Sequence, residues 1–586
     1  MAELILLCPR AGRASRDSLE VLRRAALRLE PEGGDAPPPL TLEGGGVEVA
    51  VAAPVPGGVV VEPADRGGAD AGGVLLGAVT AAPPGWSQLS AAPPDGTYVM
   101  ARWDATTLEL RTDVCASRML WYTLTDDAFL ASTSQRAVVM LLGSLQLNDE
   151  AVAWLLSAGA LGPKVSWDVR VRRVPPDGRV TLDRGGWRLA LRHTAPVFAP
   201  AGGGRAADVT RLREAIDAVC ASLDVDLDRW VLPLSGGCDS RVLLASFVKA
   251  GRRPRCVTWT TRGSLRDPLS DASIARRVAR HFNVEHELFF IDRDVDLDVA
   301  LSRFVATCEG TGEDLGGYVD GLRVWRDLRS QGVAGIVRGD EPLADRRGPE
   351  PEAFALPRNA GPRVCDYPAG HVLTKLGLAA QHVPEWLYRR PGEDLVSYQV
   401  RLCQTAWVPI QLASLHGPKT RFVEIANPLL TRAVVEAVRA TAPGMLHHAR
   451  SFLAIVAGVS RTIPTARSHS TPSTDELVHD PEVLDLVVRE LTSSRIARVL
   501  PEDGPQHVLA AMAAAADGRP PLKGRVRAAA QYVSALLPIR LVAGLKPGWT
   551  ALSLSPARLG FRALLASRTV ALLEQDARAL DVAPVP

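Results

Sequence analysis

At Val231-Leu-Pro-Leu-Ser-Gly-Gly-Cys-Asp-Ser240 the chain passes from an apolar run into a loop of small residues. The run from Trp230 to Leu234 predicts a buried strand, and the apolar residues from Val242 to Val248 have helical spacing. A loop between a strand and a helix amino terminus presents backbone N–H groups and the positive end of the helix dipole to an anion. Glycines let a phosphate come close, and the hydroxyls of Ser235 and Ser240 add donors. The stretch therefore predicts a phosphate-binding loop.

Asp239 lies inside this loop, where a carboxylate repels phosphate unless a magnesium ion bridges the two groups. The loop is not a Walker loop, because no Gly-Lys-Ser/Thr ends it. An ordinary strand–turn–helix connection is the alternative that these few residues leave open.

Bulk properties are those of a globular protein of two or three domains. The chain has 586 residues, of which 47% are hydrophobic and 23% charged. A net charge of +2 gives no basic field, so we expect no nucleic-acid partner. The eight cysteines are scattered singly, which favours a reducing cytoplasm over a disulfide framework or a zinc ribbon. No apolar stretch reaches the roughly 20 residues of a membrane span.

Residues 1 to about 200 are rich in Gly, Pro and β-branched residues and predict a mostly β, sandwich-like domain. Asn148 to Leu161 predicts a helix with an Asn cap, and Val171 to Leu182 predicts two strands joined by a Pro-Asp-Gly turn. The short apolar runs that predict the other strands are Gly46 to Ala52, Gly58 to Val61, Gly73 to Val79, Tyr98 to Trp103, Leu108 to Thr112 and Phe129 to Ser132.

A Pro/Gly-rich break from Ala199 to Gly204 is the predicted linker, and the pattern changes after it. The elements predicted next are helix Asp208 to Leu223, the opening strand and its helix, strand Cys256 to Thr260, helix Asp271 to Phe282 and strand Glu287 to Ile291. This alternation predicts parallel βαβ units in a doubly wound sheet. From about residue 370 onward the pattern is mostly helical.

The loop resembles the S-G-G-x-D-S pyrophosphate loop of the N-type ATP pyrophosphatases, which cleave ATP between its α and β phosphates. From about residue 75 to 470 the chain resembles the asparagine synthetase family. Four further stretches are similar to family motifs: Ala101 to Asp113, Val174-Pro-Pro-Asp-Gly-Arg, Asp271 to Ala279 with His286-Glu287, and Val423 to Thr431.

The resemblance implies an α/β protein with an α+β amino-terminal domain. Residues 1–200 would form an Ntn-glutaminase-like αββα sandwich. Residues 205–586 would form a PP-loop ATP pyrophosphatase domain, a doubly wound parallel sheet with a helical carboxyl-terminal part. The implied cofactors are ATP and Mg²⁺. The residues implied to bind ATP are Ser235, Gly236, Gly237, Asp239, Ser240 and Asp271.

A second magnesium ligand is implied at Asp340, opposite Asp239. Gly335-Ile-Val-Arg-Gly-Asp-Glu-Pro-Leu343 resembles a Gly-x-Asp-Glu-Leu element of the family, whose Asp holds the metal. Carboxylates at the ends of neighbouring parallel strands can bracket a magnesium pyrophosphate. A surface turn is the alternative for Asp340 to Pro342.

The chain departs from the family at the amino terminus. Glutamine-hydrolysing members need a Cys as the mature first residue, because its α-amine serves as the base. Residue 2 is Ala and Cys8 is internal, so we expect an inactive glutaminase-like domain. Two subfamilies share this loss, the β-lactam synthetases and the lasso peptide macrocyclases. Both adenylate a carboxylate and close an amide ring with an amine of the same substrate.

A second departure lies at Ile463 to Ser470, where the family carries a Lys that stabilises negative charge and this chain has none. Arg467 is the predicted substitute, because its guanidinium can fork onto phosphate, and His469 is the second candidate. Glu341 is assigned a catalytic role beside Asp340. The Tyr-Glu dyad of β-lactam synthetases cannot be placed, since Val337 occupies the approximate Tyr position.

These observations favour a cytoplasmic lasso peptide macrocyclase. Its implied partners are a precursor core peptide, a leader-recognition protein and a leader peptidase. Two alternatives stay open: a β-lactam synthetase-like enzyme acting on a small molecule, and a non-catalytic scaffold with a relic ATP fold.

Overall fold

A computed structural model of the chain describes residues 3–10, 18–30, 37–53, 58–63, 71–343, 373, 375–460, 462–468, 471–517 and 554–582. Within these residues the protein is a mixed α/β structure with three sheets. Two sheets are antiparallel and belong to the first 200 residues, and the third is parallel.

The two antiparallel sheets have six strands each and come from residues 3–193. The first has the order β10-β8-β9-β1-β3-β2 and the second the order β12-β11-β7-β6-β5-β4. The strands are β1 (Glu3–Pro9), β2 (Leu40–Gly44), β3 (Val47–Ala52), β4 (Val59–Pro63), β5 (Gly72–Ala81), β6 (Asp95–Trp103), β7 (Thr107–Thr112), β8 (Trp121–Leu124), β9 (Ala128–Ser132), β10 (Arg172–Arg173), β11 (Gly178–Asp183) and β12 (Arg188–His193).

The sheets pack face to face as a sandwich. Alternate residues of β1, such as Leu4 and Leu6, are fully buried and pack with Val99 and Leu110 of the second sheet. The intervening residue Ile5 faces the other side, because successive side chains of a strand point to opposite faces. The apolar alternation in the sequence thus accounts for a sandwich core, as predicted.

The outer faces of the two sheets are covered differently. Helices α1 (Ser18–Arg28) and α2 (Gln135–Leu142) pack on the first sheet. The second sheet is covered by the segment 82–91, whose Trp86 is buried among Leu75, Tyr98 and Met100. Four backbone carbonyls of this segment accept hydrogen bonds from the buried Arg102. In the described residues, the position of the second helical layer of the predicted αββα sandwich is therefore taken by a loop that Arg102 holds against the sheet.

The predicted strand–turn–strand from Val171 to Leu182 does not form a hairpin. β10 pairs with β8 in the first sheet, whereas β11 pairs with β7 and β12 in the second. The Pro-Pro-Asp-Gly stretch therefore carries the chain between layers. Asp177 adopts a φ of 47°, a left-handed conformation that a turn demands.

The third sheet is parallel, with the order β15-β14-β13-β16-β17. Its strands are β13 (Trp230–Pro233), β14 (Arg255–Thr260), β15 (His286–Phe290), β16 (Gly335–Val337) and β17 (Glu424–Ala426). The chain runs outward from β13 on one side and then returns to β16 on the other, as in a doubly wound sheet. The predicted βαβ alternation is confirmed at the level of these strands.

Helices lie on both faces of the parallel sheet. The helices of the remaining chain are α3 (Asp149–Ala158), α4 (Gly204–Ser222), α5 (Asp239–Lys249), α6 (Asp271–Phe282), α7 (Leu297–Cys308), α8 (Arg323–Ser330), α9 (Leu395–Leu402), α10 (Ala413–Thr420), α11 (Arg432–Arg439), α12 (Pro443–Leu446), α13 (Arg450–Ser460), α14 (Thr474–Leu477), α15 (Pro481–Leu491), α16 (Gly504–Asp517) and α17 (Pro556–Ala577), with a π-helix at Cys403–Leu412. Helices α4, α5 and α6 cover one face, and α7 and α8 cover the other. None of the described helices is long and apolar enough to cross a membrane.

The two halves of the chain cap each other's helices. Thr431 gives α11 no side-chain cap, and Asp95 of β6 instead accepts from the backbone N–H of Arg432 at 2.7 Å and of Ala433 at 3.0 Å. In return, Glu309 after α7 accepts from the N–H of Gln135 at 2.7 Å, at the start of α2. A carboxylate at a helix amino terminus satisfies orphan N–H groups and meets the positive end of the dipole.

Helix α17 joins the same interface through Glu313. The Glu313 carboxylate is buried and accepts from Arg562 Nε and Nη2, both at 2.7 Å, and from Arg558. Arg562 also donates to the carbonyls of Leu156 and Ser157 at the end of α3. Burial opposes ionisation of Glu313, but the charges of Arg562 and Arg558 lower its pKa to about 2. The carboxyl-terminal helix is thereby fixed to both halves.

We expect Glu313→Gln to lower the free energy of unfolding by about 3 kcal/mol, because two guanidinium groups lose a buried partner. Since the folded-state pKa lies below the ordinary value of 4.5, the contribution of the pair is complete above pH 4.5 and is lost as the pH falls towards about 2. Urea unfolding near pH 7 and at about pH 3 should show the difference from the wild type shrink at the lower pH. Glu502→Gln, at an exposed position, is the control and should change stability by less than about 0.5 kcal/mol. A difference that grew on acidification would contradict the assignment.

Candidate active site

A cleft opens at the carboxyl edge of the parallel sheet, where the predicted loop leaves β13. Its volume is about 230 Å³. The residues that line it come from the ends of β13, β14 and β16 and from two later segments: Pro233, Leu234, Ser235, Asp239, Ser240, Val257, Thr258, Trp259, Asp271, Arg338, Gly339, Asp340 and Thr471. Ligands of doubly wound sheets bind at this edge, beside the strand where the order reverses.

Hydroxyl groups hold the loop in shape. The Ser240 Oγ accepts from the backbone N–H of Ser235 at 3.0 Å and lies 3.1 Å from the Ser235 Oγ. The Ser235 Oγ in turn accepts from the N–H of Gly237 at 3.2 Å. Helix α5 begins at Asp239, and Cys238 before it provides no side-chain cap. The first turn of α5 therefore meets the cleft with its positive end, as the sequence predicts for an anion site.

Segment 463–468 supports the loop from behind. The buried Arg241 donates to the carbonyls of Gly236, Ile463 and Pro464, and the N–H of Ala466 donates to the Gly236 carbonyl at 3.0 Å. Asp271, at the start of α6, accepts from the N–H of Gly236 at 2.8 Å. The stretch predicted to carry the catalytic cation thus acts on the loop through its backbone.

Two glycines are required here because backbones approach closely. A Cβ on Gly236 would lie 2.7 Å from the Cβ of Ala466, and one on Gly339 would lie 2.8 Å from the backbone nitrogen of Ser240. Gly339 therefore sets the distance between the end of β16 and the loop after β13. The two strands are neighbours, as the sequence predicts for Asp239 and Asp340.

Asp340 holds the centre of a buried polar cluster. Its Oδ1 accepts from Arg338 Nη2 at 2.7 Å, and its Oδ2 accepts from Arg338 Nε at 2.9 Å and from Asn427 Nδ2 at 2.7 Å. His416 Nε2 lies 3.3 Å from the same Oδ2. Asn427 follows β17 and is itself anchored, because its N–H donates to the Thr97 hydroxyl of β6. The amino-terminal sandwich thus reaches the cleft through one amide side chain.

The charges of this cluster fix its protonation. Burial opposes the charged form of Asp340, but the charge and hydrogen bonds of Arg338, followed by His416, hold its pKa well below the ordinary value. Burial lowers the pKa of His416 to about 4 against the pull of Asp340, so this imidazole is neutral at pH 7. A neutral imidazole beside an ionised carboxylate donates through Nε2–H.

The other predicted catalytic residues are less directly placed. Arg467 is exposed and, among the described residues, does not line the cleft; its N–H donates to the Leu269 carbonyl. His469 lies outside the described residues. Glu341 is half-buried and follows Asp340, but it is not one of the described cleft-lining residues. Gly236 and Gly237 shape the loop from outside the lining.

A magnesium ion fits this cleft in part. Asp239 lines it, and one carboxylate with substrate phosphates and waters is a usual ligand set for Mg²⁺. The two Asp340 oxygens, however, already face four donors, and no group of three or more His, Cys, Asp or Glu suited to a metal occurs among the described residues. The magnesium roles of Asp239 and Asp340 stay predictions, and the geometry favours Asp239.

No described cysteine offers a nucleophile. All seven are buried and none forms a disulfide bond, and Cys365 lies outside the described residues. Cys8 is fully buried in β1, and burial raises the pKa of its thiol above the ordinary value despite the nearby Arg184. A buried, protonated thiol is inert, and the inactivity of a glutaminase-like domain stays a prediction.

Sequence reasoning missed three residues of the site: Arg338, His416 and Asn427. Arg338 comes immediately after β16 and Asn427 immediately after β17, and both lie in stretches that resemble family motifs. Their position directly after a parallel strand is a signal that could have identified them. Nothing in the local pattern marks His416, which lies inside helix α10.

Comparisons with known proteins do not identify the cleft or its ligand. No protein-family model and no curated protein sequence matches it. Among the solved structures that match are the allosteric regulatory enzyme of purine biosynthesis, at 9% identity, and the glutamine phosphoribosylpyrophosphate amidotransferase from B. subtilis complexed with ADP and GMP, at 8% identity. They cover 54% and 53% of this chain and 93% of their own, both with a TM-score of 0.23. Similarity at this level supports no conclusion about fold or function.

We expect Gly339→Ala to destabilise the protein by about 1–3 kcal/mol, because the new methyl group meets backbone atoms of Asp239 and Ser240 that cannot rotate away. Urea unfolding measures this cost. Gly263→Ala is the matched control, since a Cβ there meets nothing within 4 Å and the variant should behave like the wild type. Equal destabilisation of both variants would show that the close approach at Gly339 is not the cause.

Proposed function

We propose that this protein is an ATP-dependent amide-forming enzyme that closes a macrolactam ring in a precursor peptide, as lasso peptide macrocyclases do. The proposal rests on one observation above all. The Ser235–Ser240 loop, with Asp239, and the half-buried guanidinium of Arg338 meet in one cleft at the carboxyl edge of a doubly wound sheet. Hydroxyls, a helix amino terminus and a carboxylate are the groups that magnesium-bound phosphates need.

The proposed reaction has two steps. An oxygen of an Asp or Glu side chain of the peptide attacks the α-phosphorus of ATP, and the bond from that phosphorus to the α–β bridging oxygen breaks. Pyrophosphate leaves and the carboxylate becomes an acyl-adenylate. The peptide's amino-terminal nitrogen then attacks the acyl carbon, its proton is lost, and the C–O bond to AMP breaks. The products are an isopeptide ring, AMP and pyrophosphate.

The chain's own residues bind and orient in this scheme. Ser235, before α5, and Ser240, in its first turn, would face the phosphates with hydroxyl and backbone donors, and Asp239 would hold the magnesium ion. A bound Mg²⁺ neutralises charge on the leaving phosphates. Asp271 keeps the loop in shape by accepting from Gly236. Arg467 and His469, from the stretch behind the loop, and Glu341 stay candidates for contacts with the peptide.

The proposed function also implies partner proteins and a cellular compartment. A ring-closing enzyme of this class would receive its precursor peptide from a leader-recognition protein and a leader peptidase. The seven described cysteines are buried and form no disulfide bond, which is compatible with a reducing compartment, and we propose the cytoplasm. A β-lactam synthetase-like reaction on a small β-amino acid is the competing activity.

We expect the protein with MgATP and a linear peptide bearing an Asp or Glu to yield AMP, pyrophosphate and a peptide lighter by one water. Asp239→Asn should reduce this turnover by 100-fold or more, roughly the effect of losing one electrostatic group of a reaction centre. Mass spectrometry of the peptide and a pyrophosphate assay are the measurements.

Asp228→Asn is the matched control, because Asp228 is exposed just before β13 and outside the described lining of the cleft. It should turn over like the wild type. Full turnover by Asp239→Asn would contradict the assigned role of Asp239. Peptide-independent turnover with a small β-amino acid would replace the macrocyclase by the competing activity.

A further inference from the structure

Arg338 has an unusual place in the cleft. It directly follows β16 and continues the ladder, since its N–H donates to the Ala426 carbonyl at 2.8 Å. Its side chain is 21% exposed and lines the cleft opposite the Ser235–Ser240 loop. Of the described residues that line the cleft, Arg338 alone carries a positive charge, against the three carboxylates of Asp239, Asp271 and Asp340. An anion entering here meets one fixed cation.

The Arg338 side chain is held by a fork. Its Nε and Nη2 each donate to a different oxygen of Asp340, at 2.9 and 2.7 Å, so the guanidinium plane is fixed. This leaves Nη1 as the nitrogen that Asp340 does not engage. A guanidinium with two of its nitrogens committed and the third remaining is suited to reach a phosphate oxygen.

Asp340 is poorly suited to bind a metal in this arrangement. Both of its oxygens accept from Arg338, and Oδ2 also accepts from Asn427 at 2.7 Å. His416 lies 3.3 Å from the same oxygen. Three of these donors share Oδ2, which fills the acceptor positions of that oxygen, and the fourth is on Oδ1. A metal ion at Oδ1 would lie beside the guanidinium already paired there at 2.7 Å, and the two positive charges would repel each other.

We propose that Arg338 is the phosphate-binding cation of this cleft, and that Asp340 is a positioning residue that orients Arg338 instead of ligating magnesium. This inference rests on the proposed function. It assigns to Arg338 the role of the Lys that the asparagine synthetase family carries and that this chain lacks at Ile463 to Ser470. The orientation is relayed from the amino-terminal sandwich, because Thr97 accepts from the backbone of Asn427 and Asn427 donates to Asp340. Asp239 is then the carboxylate that serves the metal.

The test is calorimetric binding of magnesium pyrophosphate to the full chain, which needs no turnover. We expect Arg338→Met to bind it about 10- to 100-fold more weakly, the usual effect of losing hydrogen bonds to a charged group. Arg338→Lys should be intermediate, because a lysine keeps the charge but cannot fork onto Asp340. Arg229→Met is the control, since Arg229 is exposed at the opposite end of β13, and it should bind like the wild type.

Magnesium dependence separates the two roles of Asp340. If Asp340 orients Arg338, Asp340→Asn lowers pyrophosphate affinity but leaves the magnesium concentration for half-maximal binding unchanged. A rise in that concentration of about tenfold or more would make Asp340 a metal ligand and overturn the proposal. Wild-type affinity in Arg338→Met would overturn it as well, and wild-type affinity in Arg338→Lys would overturn the role of the fork.

The outcomes also distinguish this inference from the proposed function. If the wild type binds neither magnesium pyrophosphate nor MgATP, the proposed function fails. If the wild type binds and Arg338→Met binds equally well, the function stands and the inference fails. Loss of binding in Arg467→Met with binding retained in Arg338→Met would move the cation to the exposed loop and overturn the inference. Circular dichroism of each variant verifies that it is folded.

Discussion

The ion pair between Arg338 and Asp340 is the interaction on which the cleft depends. It places a positive charge among carboxylates at a sheet edge that would otherwise be wholly acidic. A half-buried guanidinium is costly unless its donors are satisfied, and Asp340 satisfies two of them at 2.9 and 2.7 Å. The same carboxylate accepts from Asn427 after the next strand, so the ends of β16 and β17 are joined at one point. The chemistry available to the cleft follows from this joint.

Much of this arrangement could be predicted from the sequence, because it depends on local pattern. The helix from Asp271 to Phe282 agrees with the structure at both ends, and β13 ends one residue before the predicted limit. The placement of Asp239 and Asp340 after neighbouring parallel strands also agrees. Such features follow from apolar periodicity, which is visible within about ten to twenty residues of sequence, and from the geometry of parallel sheets.

What could not be predicted depends on contacts between distant residues. The Pro-Pro-Asp-Gly stretch has the composition of a hairpin turn, yet its flanking strands join different sheets because β8 and β7 offer the available edges. Arg102 resembles an ordinary strand residue in sequence, but it binds four carbonyls of a loop that covers the sheet. Arg467 was assigned from its neighbours in the chain, and only the fold shows that it is exposed and is not among the described residues that line the cleft.

Each half supplies a carboxylate that caps a helix of the other half, so the folding of each half depends on the other. Asp95 serves a helix of the second half, Glu309 serves one of the first, and Thr97 anchors an amide at the cleft. Separated at the linker, each fragment would lose a carboxylate of the other fragment that accepts from backbone N–H groups at the start of one of its helices. A half that supplies no reacting group can thus be indispensable as a scaffold. Deletion of such a half is opposed by the folding of its neighbour.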